Sequence, residues 1–246
     1  MFNLRDYETR PVCLEALSLI RGNFLALEAA IPRAQWVPWE GGHNWRFTEK
    51  LPEQLLISKL ARQITGTQAA DILLLSGHLQ EVGVVYRTLD EIGEDIIFVC
   101  SGIYSGNWTI NHQNYAAYFW SEDSSDKQPP VRRKQIRSHV NRAFDQRDPS
   151  KADAVGREIY KTYSDYAHAR SAPIMGMVHG PPARFDLSGI YDSEARLPYT
   201  QQNPTYFYRC LISTCMIAKI VLSETENRSI LGQVKAFEAK HQELLF

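Results

Sequence analysis

Residues Thr67–Gly106 read TQAADILLLSGHLQEVGVVYRTLDEIGEDIIFVCSGIYSG. Apolar or small residues recur at alternating three- and four-residue steps: Ile72, Leu75, Leu79, Val82, Tyr86, Leu89, Gly93, Ile96, Cys100, Ile103. That spacing lays one apolar stripe along a single helix face. No proline interrupts it, so one long helix over Ala69–Ile103 is predicted. A polar row runs beside the stripe: Ser76, Gln80, Gly83, Arg87, Glu91, Glu94. An apolar seam with an embedded Arg–Glu row is what the central helix of a bundle requires.

The rest of the chain suits such a bundle. It has 246 residues, 44% of them hydrophobic, enough for a core and for a single domain over 1–246. A net charge of -1 provides no global attraction to nucleic acid or anionic membrane. Met1–Glu8 has no apolar signal-peptide core, and apolar runs such as Ile72–Leu75 are too short to span a bilayer. A cytoplasmic protein with no membrane partner is expected. Cys13, Cys100, Cys210 and Cys215 are scattered in apolar segments and form no C-x-x-C pair, as buried reduced thiols would.

Before the central helix, Pro11–Ile31 has helical periodicity and Pro32 closes it. The stretch 33–49 is a Trp-rich ordered loop, with Trp36, Trp39 and Trp45 among Gly41, Gly42, His43 and Arg46. Its tryptophans either cap the bundle or form a stacking surface for a base. Pro52–Gln63 reads as a short helix broken by Gly66. After the central helix, Thr109 caps a helix over Ile110–Trp120, and 121–130 is a polar, mobile loop ending in Pro129-Pro130. Val131–Arg147 is an amphipathic helix with a basic outer face. Asp148–Ala169 restarts a helix with a partly aromatic inner face, including Tyr160 and Tyr163. Arg184–Thr205 reads as a short irregular or hairpin-like arm, and helices follow over Thr205–Leu222 and Ser229–Leu245. The total, about seven helices with a trace of strand, predicts an all-α helical bundle.

Three constellations carry chemistry. Arg87 and Glu91 stand four apart and pair along a helix, either to fix its register or to build a site. Tyr163–Arg170 places Asp165 three residues before His168 and puts Arg170 just beyond it. A histidine there moves protons and an arginine holds phosphate charge; the alternative is a histidine hydrogen-bonded in the core. Arg132, Arg133, Lys134, Arg137 and Arg142 form either a solvated face or a phosphate-contacting strip. Glu40…His43 and Glu238…His241 both read E-x-x-H, a spacing that chance supplies easily, so no metal is assigned. No P-loop, G-x-G-x-x-G, H-E-x-x-H or G-x-S-x-G motif is present.

The Arg87-Thr88-Leu89-Asp90-Glu91 segment, followed by Tyr163-Ser164-Asp165-Tyr166-Ala167-His168, resembles uncharacterised bacterial proteins related to the HEPN helical-bundle superfamily. Many members are metal-independent ribonucleases acting as dimers, with an arginine four to six residues before a histidine. Here Arg170 and His179 have eight residues between them, so that pair departs from the pattern. The resemblance implies RNA handling by a homodimer without cofactor, extending to ribonuclease activity of a defence or toxin type. His168 would be the general acid/base, Arg87 and Arg170 would stabilise phosphate charge, and Glu91 would orient Arg87. The strip Arg132–Arg142 would grip the RNA backbone. Other members of the superfamily bind nucleotides or partner proteins. A competing expectation is therefore a non-catalytic helical module binding a partner protein or small ligand between its helices.

Overall fold

The computed structural model describes residues 6–121, 130–144 and 164–245. The expected loop at 121–130 and helix at 148–169 fall largely outside them, Tyr160 and Tyr163 included. The chain runs α1 (Arg10–Ala29), β1 (Gln35–Trp39), β2 (Gly42–Arg46), α2 (Pro52–Leu75), α3 (Leu79–Tyr104), α4 (Ile110–Trp120) and α5 (Arg133–Phe144). A helical turn at 164–167 follows, then α6 (Ser171–Met175), β3 (Val178–His179), β4 (Arg184–Phe185), α7 (Ser193–Val221) and α8 (Glu224–Leu245). The fold is an all-α helical bundle with two small antiparallel hairpins. Among the described residues no helix is long and apolar enough to cross a membrane.

The central helix expected over Ala69–Ile103 is two helices. α2 runs straight through Gly66, where a side chain would meet Leu89 Cδ2 at 2.8 Å, so the glycine is there for close packing against α3. The chain breaks instead at Ser76-Gly77-His78, with Gly77 at φ 73°. Because the seam changes direction there, Ile72 is 60% exposed while Leu79, Val82, Tyr86, Leu89, Ile96 and Cys100 are buried as predicted. The freed carbonyls at the corner find new donors. Ile190 N–H bonds to Gly77 O at 2.8 Å, Tyr191 Oη–H to Ser76 O at 3.0 Å and Arg196 Nη2–H to Leu74 O at 3.2 Å. A Cβ on Gly77 would lie 2.7 Å from Ile190 N.

α7 corrects the reading of 193–205 as an irregular arm. It is one helix of 29 residues, capped by the Asp192 carboxylate on the amides of Glu194 and Ala195, with Pro198 and Pro204 inside it. Pro204 cannot bond back to Thr200 O, and the Thr9 hydroxyl donates to that carbonyl instead. α7 packs on α1, α2, α3 and α8. Tyr86 of α3 stacks on Tyr206 of α7 (centroids 3.9 Å apart) and donates its hydroxyl to Asn203 Oδ1 at 3.0 Å. Asn203 Nδ2 in turn donates to Tyr7 Oη, which donates to Asp71 Oδ1, both at 2.6 Å. This buried chain of donors ties α1, α2, α3 and α7 together, and its full satisfaction makes it affordable in the core.

The Trp-rich segment is a hairpin rather than a loop, with Trp36 paired across to Trp45 and Pro38 to His43. These four share one face, on which Trp36 and Trp45 remain 56% and 62% exposed, so they do not cap the bundle. Trp39, on the other face, lies under the Arg46 guanidinium at 4.3 Å.

Candidate functional site

The polar row on α3 is a docking face with two occupants. Its C-terminal half receives α5. Arg133 Nη1 pairs with Asp95 Oδ1 at 2.6 Å and donates to Glu91 O at 3.1 Å, while Arg137 Nε pairs with Glu94 Oε1 at 2.8 Å. Lys59 Nζ takes the other Asp95 oxygen at 2.8 Å. Arg133 and Arg137, expected on a basic outer strip, therefore face inward. Buried α3 carboxylates beside Val131, Ile136 and Val140 need counter-charges, and these arginines supply them. Arg132, Lys134 and Arg142 stay exposed. Burial holds the Glu94 carboxyl above the usual range in spite of Arg137 and Arg133, and Asp90 likewise in spite of Arg209.

The N-terminal half of the row receives residues 164–166. Arg87 Nη1 donates to Ser164 Oγ at 3.4 Å and its Nε lies 3.5 Å from Glu91 Oε1. The Tyr166 ring lies on Gly83, where a Cβ would meet the ring at 2.7 Å. So the Arg87–Glu91 pair and the segment carrying His168 do come together. His168 itself is exposed, and among the described residues none hydrogen-bonds to its imidazole. Asp165, expected beside His168, pairs with Arg170 Nε at 3.2 Å. His179 is exposed on β3.

Beneath these residues lies a cavity of about 600 Å³. Leu79 and Ile190, both buried, form apolar floor; Tyr166, Pro173, Pro198 and Tyr199 supply flat walls. Gln80, Asp165 and Gln202 are the polar residues of its lining. The Tyr166 and Tyr199 hydroxyls hydrogen-bond to each other at 2.8 Å, with their rings edge to face. The volume lies in the ordinary range for small-molecule sites, and the mixture of apolar walls with few polar groups is typical of them. Sequence reasoning missed this site because its walls come from the 193–205 stretch read as irregular. The available signal was Asp192-Ser193-Glu194, an N-cap followed by an acidic first turn.

A second cluster joins α4 to α3 and α5. His112 Nδ1 accepts the Thr109 amide at 3.1 Å and its Nε2–H donates to Phe98 O at 3.2 Å. Ser101 Oγ–H donates to Phe98 O at 2.7 Å, so His139 Nε2–H must be the donor in its 2.6 Å contact with Ser101 Oγ. That direction is the reverse of a nucleophile–base dyad. Burial pushes both imidazoles below their ordinary values, aided by His139 at His112 and by Arg142 at His139.

Neither E-x-x-H pair gathers ligands. Glu40 sits in the β1–β2 turn, and His241 Nε2 lies 3.0 Å from Glu15 Oε2. Among the described residues no group of three or more His, Cys, Asp or Glu side chains is placed to hold a metal ion. No protein-family model, curated protein or solved structure matches the chain. Fold and site together define an all-α bundle with a ligand-sized cleft lined by residues of α3, α7 and the 164–190 segment.

Proposed function

We propose that the protein is a non-catalytic helical module that binds a small organic ligand in this cleft. The observation carrying the reading is the cavity itself: about 600 Å³, apolar-walled, with Gln80, Asp165 and Gln202 reaching it. A concave cleft of this size, with mostly apolar walls and a few polar groups, is the usual form of a small-molecule site, and that supports the reading. A fragment library screened by ligand-observed NMR tests it. Hits on the parent that disappear in Ala172→Trp, whose indole projects from the exposed α6 into the cavity, support the reading. An absence of hits, or hits indifferent to the substitution, contradicts it.

A second reading is HEPN-like RNA handling by a homodimer, with His168 moving the proton, Arg87 and Arg170 holding phosphate charge and Glu91 orienting Arg87. It is favoured by the Arg87–Ser164 contact, which brings the arginine to the His168 segment, and by the exposed Arg132, Lys134 and Arg142. Cleavage of labelled RNA by the parent and not by His168→Ala supports it. Equal cleavage by both removes His168 from the role.

A further inference from the structure

We infer that His112 is an acid-operated latch: a proton reaching its Nδ1 breaks the bond to the Thr109 amide, drives the imidazole out of its slot on α3 and frees the N-terminal half of α4. His112 and Tyr115 are the two buried side chains of α4, so this histidine supplies much of the helix's hold on the bundle. The slot is built for a flat ring. Phe98 stacks on the imidazole with centroids 4.2 Å apart and planes at 15°, and Trp108 does so at 5.1 Å and 27°. Gly102 lies against its Cδ2–Nε2 edge, where a Cβ would come within 2.8 Å of the ring.

The hydrogen bonds fix which tautomer fits. Phe98 O can only accept, so Nε2 carries the proton across their 3.2 Å contact. Nδ1 is therefore bare, and it accepts the Thr109 amide at 3.1 Å, with the Thr109 hydroxyl at 2.8 Å. This is a capping box in which histidine takes the place usual for Glu or Gln. Neither of those changes state near neutral pH, whereas imidazole does. A second proton must arrive at Nδ1, where it would point at the Thr109 N–H, donor against donor. The ring faces of Phe98 and Trp108 would accept a cation, but the Nδ1 edge does not.

The surrounding groups act in the same sense. His139 of α5 meets the ring edge to face with centroids 5.3 Å apart, and Arg142 acts on His139 in turn, so charge on either imidazole is opposed. Burial pushes the Tyr115 phenol up, which keeps it neutral. Asp95, one turn before Phe98 on α3, is already paired with Lys59 and Arg133. The chain entering α4 can follow the ring outward: Ser105, Gly106 and Asn107 are exposed, and a Cβ on Gly106 would meet nothing within 4 Å.

Amide hydrogen exchange on the ¹⁵N-labelled full chain, corrected for the intrinsic rate at each pH and repeated in low urea, reads the latch at Thr109 and at Gln113, whose amide bonds to Thr109 O. Protection there should fall about tenfold from pH 7.5 to 5.5, because the open state takes up one more proton below about 6.5. The opening should be local, with far weaker urea dependence than exchange at Leu211 in the core of α7. His139→Gln keeps the fall, and His112→Gln abolishes it. If His112→Gln fails to fold, ring ¹⁵N shifts of the parent decide: His112 should be the Nε2–H tautomer at pH 7.5 and gain its Nδ1 proton in step with the loss at Thr109. Protection unchanged down to pH 5.5, a fall that survives His112→Gln, the Nδ1–H tautomer at pH 7.5, or exchange at Thr109 with the same urea dependence as Leu211 overturns the inference.

Discussion

Replacing Gly77 by alanine tests how the α2–α3 corner holds the cleft's floor. Two costs arise from the structure. Gly77 has φ 73°, a left-handed conformation that costs an L-residue about 1–2 kcal/mol. The added Cβ would also meet the Ile190 amide at 2.7 Å, and Gly189 C and Ile190 O at 2.9 Å. These are backbone atoms, so relief requires the 189–191 segment to lift, with loss of its 2.8 Å hydrogen bond to Gly77 O. Overpacking of this kind costs about 1–3 kcal/mol. The total is therefore about 2–5 kcal/mol. Gly106→Ala is the control: its φ is 63° and nothing lies within 4 Å, so only the conformational cost of about 1–2 kcal/mol applies. Urea unfolding followed by circular dichroism, with the m-value checked for constancy, gives both numbers. Equal losses for Gly77→Ala and Gly106→Ala would refute the reasoning, because the corner would then not be clamped by the segment that carries Ile190.

Other outcomes follow from the same geometry. Arg133→Ala removes a charged partner from buried Asp95 and should cost about 1.5–3 kcal/mol, whereas Arg132→Ala, one residue away and exposed, should stay within about 0.5 kcal/mol; urea midpoints distinguish them. Gly83→Ala should displace the Tyr166 ring, cost about 1–3 kcal/mol and weaken fragment binding in the cleft, read by NMR titration. Burial lowers the His112 and His139 pKa values in the fold, so around the ordinary histidine value of about 6.5 the unfolded chain binds more protons than the folded one. Stability should therefore fall as pH drops from about 7.5 to about 5.5, and His112→Gln should flatten that slope. Asp90 and Glu94, held above the carboxylate range, act with the opposite sign, since the folded chain keeps their protons to higher pH.

What the sequence made legible is what a local period encodes. Tyr86, Leu89, Ile96 and Cys100 are buried where the seam placed them, and α4 spans Ile110–Trp120 with Thr109 and His112 bonded as its cap. The breaks were misplaced because two glycines serve opposite ends. Gly66 permits contact with Leu89 inside a helix, while Gly77 turns the chain. Composition alone does not separate those uses. Pro198 and Pro204 hid the first half of α7 because the compensating donor to Thr200 O comes from Thr9, far away in sequence. The orientation of α5 was illegible for a similar reason. Arg133 and Arg137 turn inward toward Asp95 and Glu94, and a charge on an amphipathic helix reads as solvated until its partner helix is known. The cleft combines these failures, since three separate segments wall it.

The most direct test of the account is ¹⁵N-resolved mapping of where fragments bind on the full chain. The account predicts shift changes clustered at Leu79, Gln80, Tyr166, Ile190 and Tyr199, and their loss in Ala172→Trp. Shift changes confined to the Trp36–Trp45 hairpin, or none at all, would contradict it.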